Sequence, residues 1–131
     1  MNTIFDNIFG EVALENRTWK GKVSLEVFGA TKDVVLEIQH KENEGVSDNQ
    51  REVFSSFMKN KATILSETEQ KVFDYYQTEI IDDYRAMFGN DDDPRVPDIK
   101  HPNELGKVMK LSSLLVCRVR AGAIGLLFEC A

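Results

Sequence analysis

Several informative residue types are scarce in this chain. Cysteine occurs twice, histidine twice and tryptophan once in 131 residues. Two cysteines, Cys117 and Cys130, do not suggest the disulfide framework of a small secreted scaffold, and residues 1–10 lack the features of a signal peptide. No apolar stretch is long enough to span a bilayer. These absences predict a cytoplasmic protein with reduced thiols that does not bind membranes.

Positive charge is also scarce. The chain has 22 acidic and 16 basic residues and a net charge of −6. The basic residues are scattered, and Lys59 and Lys61 come nearest to a cluster. A nucleic-acid-binding protein usually carries a basic stripe, so we expect no nucleic-acid partner. An acidic field favours solubility and attraction to a basic partner, although ordinary acidity is the simpler interpretation.

Motifs that carry chemistry are missing as well. Two histidines and two cysteines at these positions do not supply zinc spacing, and His40 is expected to be a hydrogen-bonded histidine on the buried face of its strand. The acidic runs lack the alternating ligands of a calcium loop. Neither a nucleophile elbow nor a phosphate-cradling glycine loop occurs. We therefore expect no metal, no cofactor and no enzyme; a small hydrolase using Asp83 or His101 is the weakest alternative.

Alternating patterns predict strands in the first third of the chain. Apolar and polar side chains alternate over residues 22–28 and 34–39, which is the period of a half-buried strand. Residues 29–33 between them are expected to form a loop, giving an antiparallel hairpin. Residues 11–15 are expected to add a short strand.

The middle of the chain predicts two helices. Ser47 with Gln50, and Ser66 with Glu69, have the spacing of capping boxes. An apolar stripe at helical spacing follows each box. Both stripes are expected to pack on one face of the sheet.

A long irregular stretch follows the helices. Residues 89–104 contain all three prolines of the chain and the run from Asp91 to Asp93. Because proline fixes φ and removes a donor, neither a helix nor a central strand can cross this stretch. Loops of this length are commonly functional or disordered.

The last segment predicts a β-hairpin over residues 111–130. A turn at Ala121 and Gly122 would place Cys117 opposite Leu126 and Leu115 opposite Phe128, with Leu115 and Cys117 on the buried face. The second strand is then left with an unpaired edge, which is a template for another strand. Homodimerisation through this edge is one interpretation.

These patterns together predict a single α+β domain over residues 1–131. Its mostly antiparallel sheet combines the N-terminal strands with the C-terminal hairpin, and two helices cover one face. Other features match a known group: Phe9-Gly10, Trp19-Lys20-Gly21, Tyr75-Tyr76 and the closing residues 125–130. With them the chain resembles small bacterial α+β proteins of the DUF6985 and DUF2004-like group over nearly its whole length. Relatives continue into a further strand, so the resemblance implies that a C-terminal strand is lacking here.

The resemblance implies a binding role, since some members of the group are thought to be immunity proteins of polymorphic toxin systems. We therefore expect a non-enzymatic protein-binding domain that neutralises a basic toxin domain. The candidate contact residues are Asp82, Asp83, Asp91, Asp92 and Asp93, because opposite charge accelerates association. The alternative is a structural domain that dimerises through its open C-terminal edge.

Overall fold

The computed structural model describes residues 3–41, 45–89, 94–118 and 123–130. Within these residues six strands form one sheet, in the spatial order β1 to β6. The strands are β1 (Thr3–Asp6), β2 (Gly10–Glu15), β3 (Thr18–Val27), β4 (Ala30–Gln39), β5 (Met109–Val116) and β6 (Ile124–Cys130). The helical elements are α1 (Asp48–Tyr75), a π-helical segment (Tyr76–Ile80), α2 (Ile81–Phe88) and a 3₁₀ helix (Pro102–Lys107).

The connections explain the mixed character of the sheet. Strands β1 to β4 form an antiparallel meander, and β5 and β6 form an antiparallel hairpin. Strand β5 runs parallel to β4, because the helices of the middle third carry the chain back across the sheet. The predicted fold class, an α+β fold with a mostly antiparallel sheet and two helices from the middle of the chain, is confirmed.

One face of the sheet forms the core. In β3 and β4 the buried side chains alternate with exposed ones as the sequence predicted: Val23, Leu25, Val27, Val34, Leu36 and Ile38. Trp19 and Phe28 are buried as well, so packing is their role. Helix α1 covers this face with Phe54, Phe57 and Leu65. No helix in the part of the chain that the structure describes is long and apolar enough to cross a membrane.

The turn between β3 and β4 is tighter than predicted. Val27 pairs with Ala30, so only Phe28 and Gly29 form the turn, with φ of 53° and 76°, and the predicted loop over residues 29–33 is wrong. Positive φ at both positions suits a hairpin because it matches the twist of the strands. The backbone N–H of Phe28 donates to the Glu69 carboxylate at 2.6 Å.

Helix α1 begins where the sequence predicted and continues past the predicted second start. The Ser47 hydroxyl accepts from the backbone N–H of Gln50 at 3.1 Å, and the Gln50 side chain accepts from the backbone N–H of Ser47 at 3.0 Å. The helix then runs for 28 residues, about 42 Å. The predicted capping box at Ser66 is wrong, because Ser66 lies inside the helix and Glu69 contacts the β3–β4 turn instead.

The C-terminal hairpin exists, but its predicted register is wrong. Leu114 pairs with Leu126 and Leu111 with Phe128, and a register shift separates Leu111 from Ser113. Such an irregularity moves the following side chains to the other face. Leu114 and Val116 are therefore buried, while Leu115 is only half-buried. The predicted turn at Ala121 and Gly122 lies outside the described residues.

Candidate functional site

Two of the five predicted contact residues lie on an exposed helical surface. Asp82 and Asp83 occupy the first turn of α2, whose inner side is anchored by buried Ile81. Both aspartates are exposed, and Asp82 accepts from Arg85 at 3.4 Å. Because α2 continues directly from the π-helical segment, with helical φ and ψ at Ile80, the pair lies within one continuous helical rod and not at a free helix N-terminus. The pair is thus an accessible negative feature.

The same side of the helical rod carries exposed apolar side chains. Tyr75, Glu79, Asp83 and Met87 recur every four residues, which places them along one side of the rod. Tyr75 is 57% exposed and Met87 is 72% exposed. We call Tyr75, Glu79, Asp82, Asp83 and Met87 the acidic helical face. Aromatic and methionine side chains are enriched in protein interfaces, so the composition suits recognition of a protein.

The other three predicted residues, Asp91, Asp92 and Asp93, lie outside the described residues. The loop that follows them is attached to the π-helical segment. The Tyr76 hydroxyl donates to the Pro97 carbonyl at 3.0 Å, and the Gln77 amide donates to the Ile99 carbonyl at 2.7 Å. Burial raises the pKa of Tyr76, which keeps the hydroxyl protonated as a donor. Arg95 stacks over the Phe88 ring at 4.4 Å, which joins this loop to α2.

A second feature is an apolar groove between α1 and β6, which the sequence did not predict. One part, about 390 Å³, is lined by Val72, Tyr75, Ile80, Met109 and Phe128 among others. The adjoining part, about 570 Å³, is lined by Phe57, Ile64, Ile124 and Leu126 among others, and Thr68 borders both. We call these two parts together the α1–β6 groove. Because Tyr75 belongs to both features, the groove adjoins the acidic helical face.

Strand β6 lies at one edge of the sheet. Among the residues that the structure describes, it pairs only with β5. Its inward side chains, Ile124, Leu126 and Phe128, are only half-buried, and Leu127 on the other face is 47% exposed. An edge strand with apolar side chains on both faces is suited to pairing with a further strand.

The start of α1 is held by a buried polar centre. The Gln50 side chain is fully buried, and its amide donates to the carbonyls of Gln39 at 2.9 Å and Val116 at 3.4 Å. Its carbonyl oxygen accepts from the Arg118 guanidinium at 3.4 Å. One amide therefore ties the helix to the ends of β4 and β5. The capping box signals Gln50 in the sequence, but its strand partners carry no local signal.

Candidate catalytic groups are not brought together. His101 is exposed at the start of the 3₁₀ helix. Cys117 and Cys130 are free thiols, half-buried and exposed respectively. Cys130 lies opposite Met109. The predicted hydrogen bond of His40 is wrong for Nδ1, which is buried without a partner in the described part of the chain. No cluster of three metal-ligating side chains occurs among the described residues.

The geometry thus defines a small α+β domain whose helical layer covers one face of a six-stranded sheet. Its most evident surface features are an acidic helical face and an apolar groove beside a sheet edge. The chain belongs to the DUF6985 family, described as a domain of unknown function, whose family model matches residues 8–131. Among curated proteins and solved structures, none matches the chain significantly.

Proposed function

We propose that this chain is a non-enzymatic, cytoplasmic protein-binding domain that neutralises a basic toxin domain. The observation that carries the proposal is the acidic helical face, where exposed Asp82 and Asp83 stand beside exposed Met87. An interface commonly combines apolar anchors with a charged rim. The carboxylates would steer the encounter and Met87 would contribute buried apolar area.

The charge of the whole chain supports a basic partner. The net charge of −6 extends the attraction of the acidic helical face over a longer range. Nucleases that act on nucleic acid commonly need a basic surface, so an acidic protein can compete with their substrate. An immunity protein of this kind needs no catalytic group of its own.

Co-expression tests this proposal. The chain is produced together with the toxin-like domain encoded beside its gene, and growth and complex formation on a sizing column are recorded. We expect growth to be restored and both proteins to elute together. The control is the same toxin with an unrelated acidic protein of similar size. Full toxicity without a complex would contradict the proposal.

A second function, homodimerisation, is favoured by the α1–β6 groove. Two copies of β6 could pair antiparallel across a two-fold axis, so that the sheet continues and each groove is covered by the partner's edge. Exposed Leu127 would lie beside its counterpart at the junction. The two surfaces adjoin at Tyr75, whereas Asp82, Asp83 and Met87 do not line the groove, so toxin binding through those three residues is compatible with dimerisation.

Light scattering at micromolar concentration tests dimerisation. We expect a dimer for the natural chain and a monomer for Leu127→Glu, because two carboxylates at the junction would repel each other. Val35→Glu is the matched control, since Val35 is 43% exposed on the interior strand β4. A monomeric natural chain rules out this second function.

A further inference from the structure

A depression at one end of the sheet concentrates positive charge in an acidic protein. Its volume is about 630 Å³, within the range of small-molecule sites. Its lining combines the β2–β3 turn, the end of β4 and the segment after β5: Asn16, Arg17, Thr18, Gln39, His40, Lys41 and Arg118. Three cationic side chains therefore meet here in a chain whose net charge is −6. We call this depression the basic depression.

Arg118 is one of the lining residues, and hydrogen bonds hold its side chain in position. It donates to the Gly45 carbonyl at 2.9 Å and to the Gln50 side chain at 3.4 Å. The backbone N–H of Arg118 donates to the Gln39 side chain at 2.7 Å. A charge that is fixed before binding loses little conformational freedom when a ligand arrives.

Arg17 does not match the residue preference of the turn in which it lies. Asn16 and Arg17 have φ of 47° and 68° between paired Glu15 and Thr18. Such a turn favours Asn followed by Gly, and Asn16 fits this preference while Arg17 does not. Backbone preference therefore does not account for an arginine at this position, and Arg17 is one of the residues that line the depression.

Two buried nitrogen atoms lie behind the same wall. Neither Trp19 Nε1 nor His40 Nδ1 has a hydrogen-bond partner within the described residues. The two rings contact each other edge-on, with centroids 5.8 Å apart, and His40 also lines the depression. Because both nitrogen atoms are buried, neither contacts a ligand directly, but the contact between the two rings places Trp19 next to a residue of the lining.

We propose that the basic depression binds a small organic molecule through an oxyanion, either a phosphate ester or a carboxylate. Arg17 and Arg118 contact the oxyanion, since guanidinium groups match the geometry of both. Gln39, Asn16 and Thr18 supply neutral hydrogen-bonding groups around it. His40 lines the depression and its ring contacts Trp19, so ligand binding should change the environment of the Trp19 ring.

The single tryptophan makes this proposal directly measurable. Trp19 is the only tryptophan of the chain, so its emission reports on the ring beside the depression. The purified full chain is titrated with adenosine monophosphate, inorganic phosphate, citrate and uncharged adenosine, while emission and binding heat are recorded. We expect saturable binding of the anions and none of adenosine. Tighter binding of the monophosphate identifies a phosphate ester as the ligand class, and tighter binding of citrate identifies a carboxylate.

Arg17→Asn distinguishes ligand binding in the basic depression from a general effect of the protein's net charge. Asparagine tolerates positive φ, so the turn is kept while the guanidinium is removed. We expect about tenfold weaker binding, the size of one lost charge-assisted hydrogen bond. Lys59→Gln, which removes an equal charge from an exposed position on α1, should leave affinity unchanged. Absence of saturable binding to the natural chain, or equal weakening in both variants, overturns the proposal.

Discussion

At the scale of single residues, buried polar groups hold the elements in register. Gln50 could be recognised from the sequence as part of a capping box with Ser47. Its contacts with the carbonyls of Gln39 and Val116 could not, because those groups lie 11 and 66 residues away along the chain. Contacts between residues that are close in sequence can be predicted from local motifs, whereas contacts between distant residues depend on the tertiary structure.

Gln50→Leu should destabilise the protein by about 3 kcal/mol, because a leucine of similar volume leaves two buried carbonyls and the helix N-terminus with fewer donors and acceptors. Urea unfolding at pH 7 measures the loss. Gln70→Leu is the matched control, since exposed Gln70 donates through its amide to exposed Asp74 on the same helix. Equal stability of the two variants would contradict the role assigned to Gln50.

Asp6 is the second buried polar residue. Burial acts to raise the pKa of its carboxyl, but the backbone N–H groups of Ile8 and Phe9 and the Arg51 guanidinium outweigh it and hold the pKa below the ordinary 3.8. Arg51 lies 2.8 Å from the carboxylate and also contacts Asp48 at 2.7 Å. The carboxylate therefore ties β1 to the first turn of α1.

A lowered pKa in the folded state fixes the direction of the pH dependence. Stability from Asp6 is present above the pKa of the unfolded chain and is lost as pH falls through the lower folded value. We expect the free energy of unfolding to decrease as pH falls below about 4. Asp6→Asn should be less stable at pH 7 and show a shallower acid dependence. Exposed Asp33→Asn serves as the control, and identical acid profiles for Asp6→Asn and the natural chain would contradict this assignment.

At the scale of elements, α1 shows why a local signal can mislead. Ser47 and Ser66 are followed by similar residues, yet only Ser47 has the extended backbone of an N-cap, with φ of −84° and ψ of 156°. Once a helix has nucleated, extending it by one residue costs little free energy, so a weak second start signal does not interrupt it. Packing of the continuous apolar stripe on the sheet then favours one long helix.

Ser47→Ala and Ser66→Ala should therefore differ. Loss of the N-cap oxygen at Ser47 should cost about 1 kcal/mol, whereas alanine at Ser66 should be neutral or stabilising by about 0.5 kcal/mol. Thermal or urea unfolding of both variants gives the comparison. A destabilisation at Ser66 as large as that at Ser47 would show that α1 is not continuous there.

The C-terminal hairpin illustrates a second limit at this scale. Its strands were predictable from apolar composition, but its register was not. The register shift between Leu111 and Ser113 reverses the inward and outward positions that follow. Because Ser112 and Ser113 are adjacent, the sequence does not show which residues after them face the core. Pairing with β4 and packing under α1 select the observed arrangement.

At the scale of the whole molecule, the layer arrangement follows from the order of patterns along the chain. Alternating segments at both ends and helical stripes between them predict helices packed on a sheet. The parallel pairing of β4 with β5, the added strand β1 and the α1–β6 groove were not predictable, because each depends on which strands become neighbours. Charge alone points to the candidate contact residues, of which Asp82 and Asp83 lie on an exposed surface, whereas Asp91, Asp92 and Asp93 lie outside the described residues.

Recognition of a basic protein by the acidic helical face is the central proposal, and association kinetics test it most directly. Rate constants for the chain and a basic toxin-like domain, the proposed partner, are measured by stopped flow at low and high salt. We predict an association rate that falls with salt and falls about tenfold in Asp82→Asn/Asp83→Asn at low salt. Glu11→Gln/Glu26→Gln, which removes the same charge from exposed positions on the sheet, should change the rate much less. Absence of association, or equal effects of the two double variants, would contradict the account.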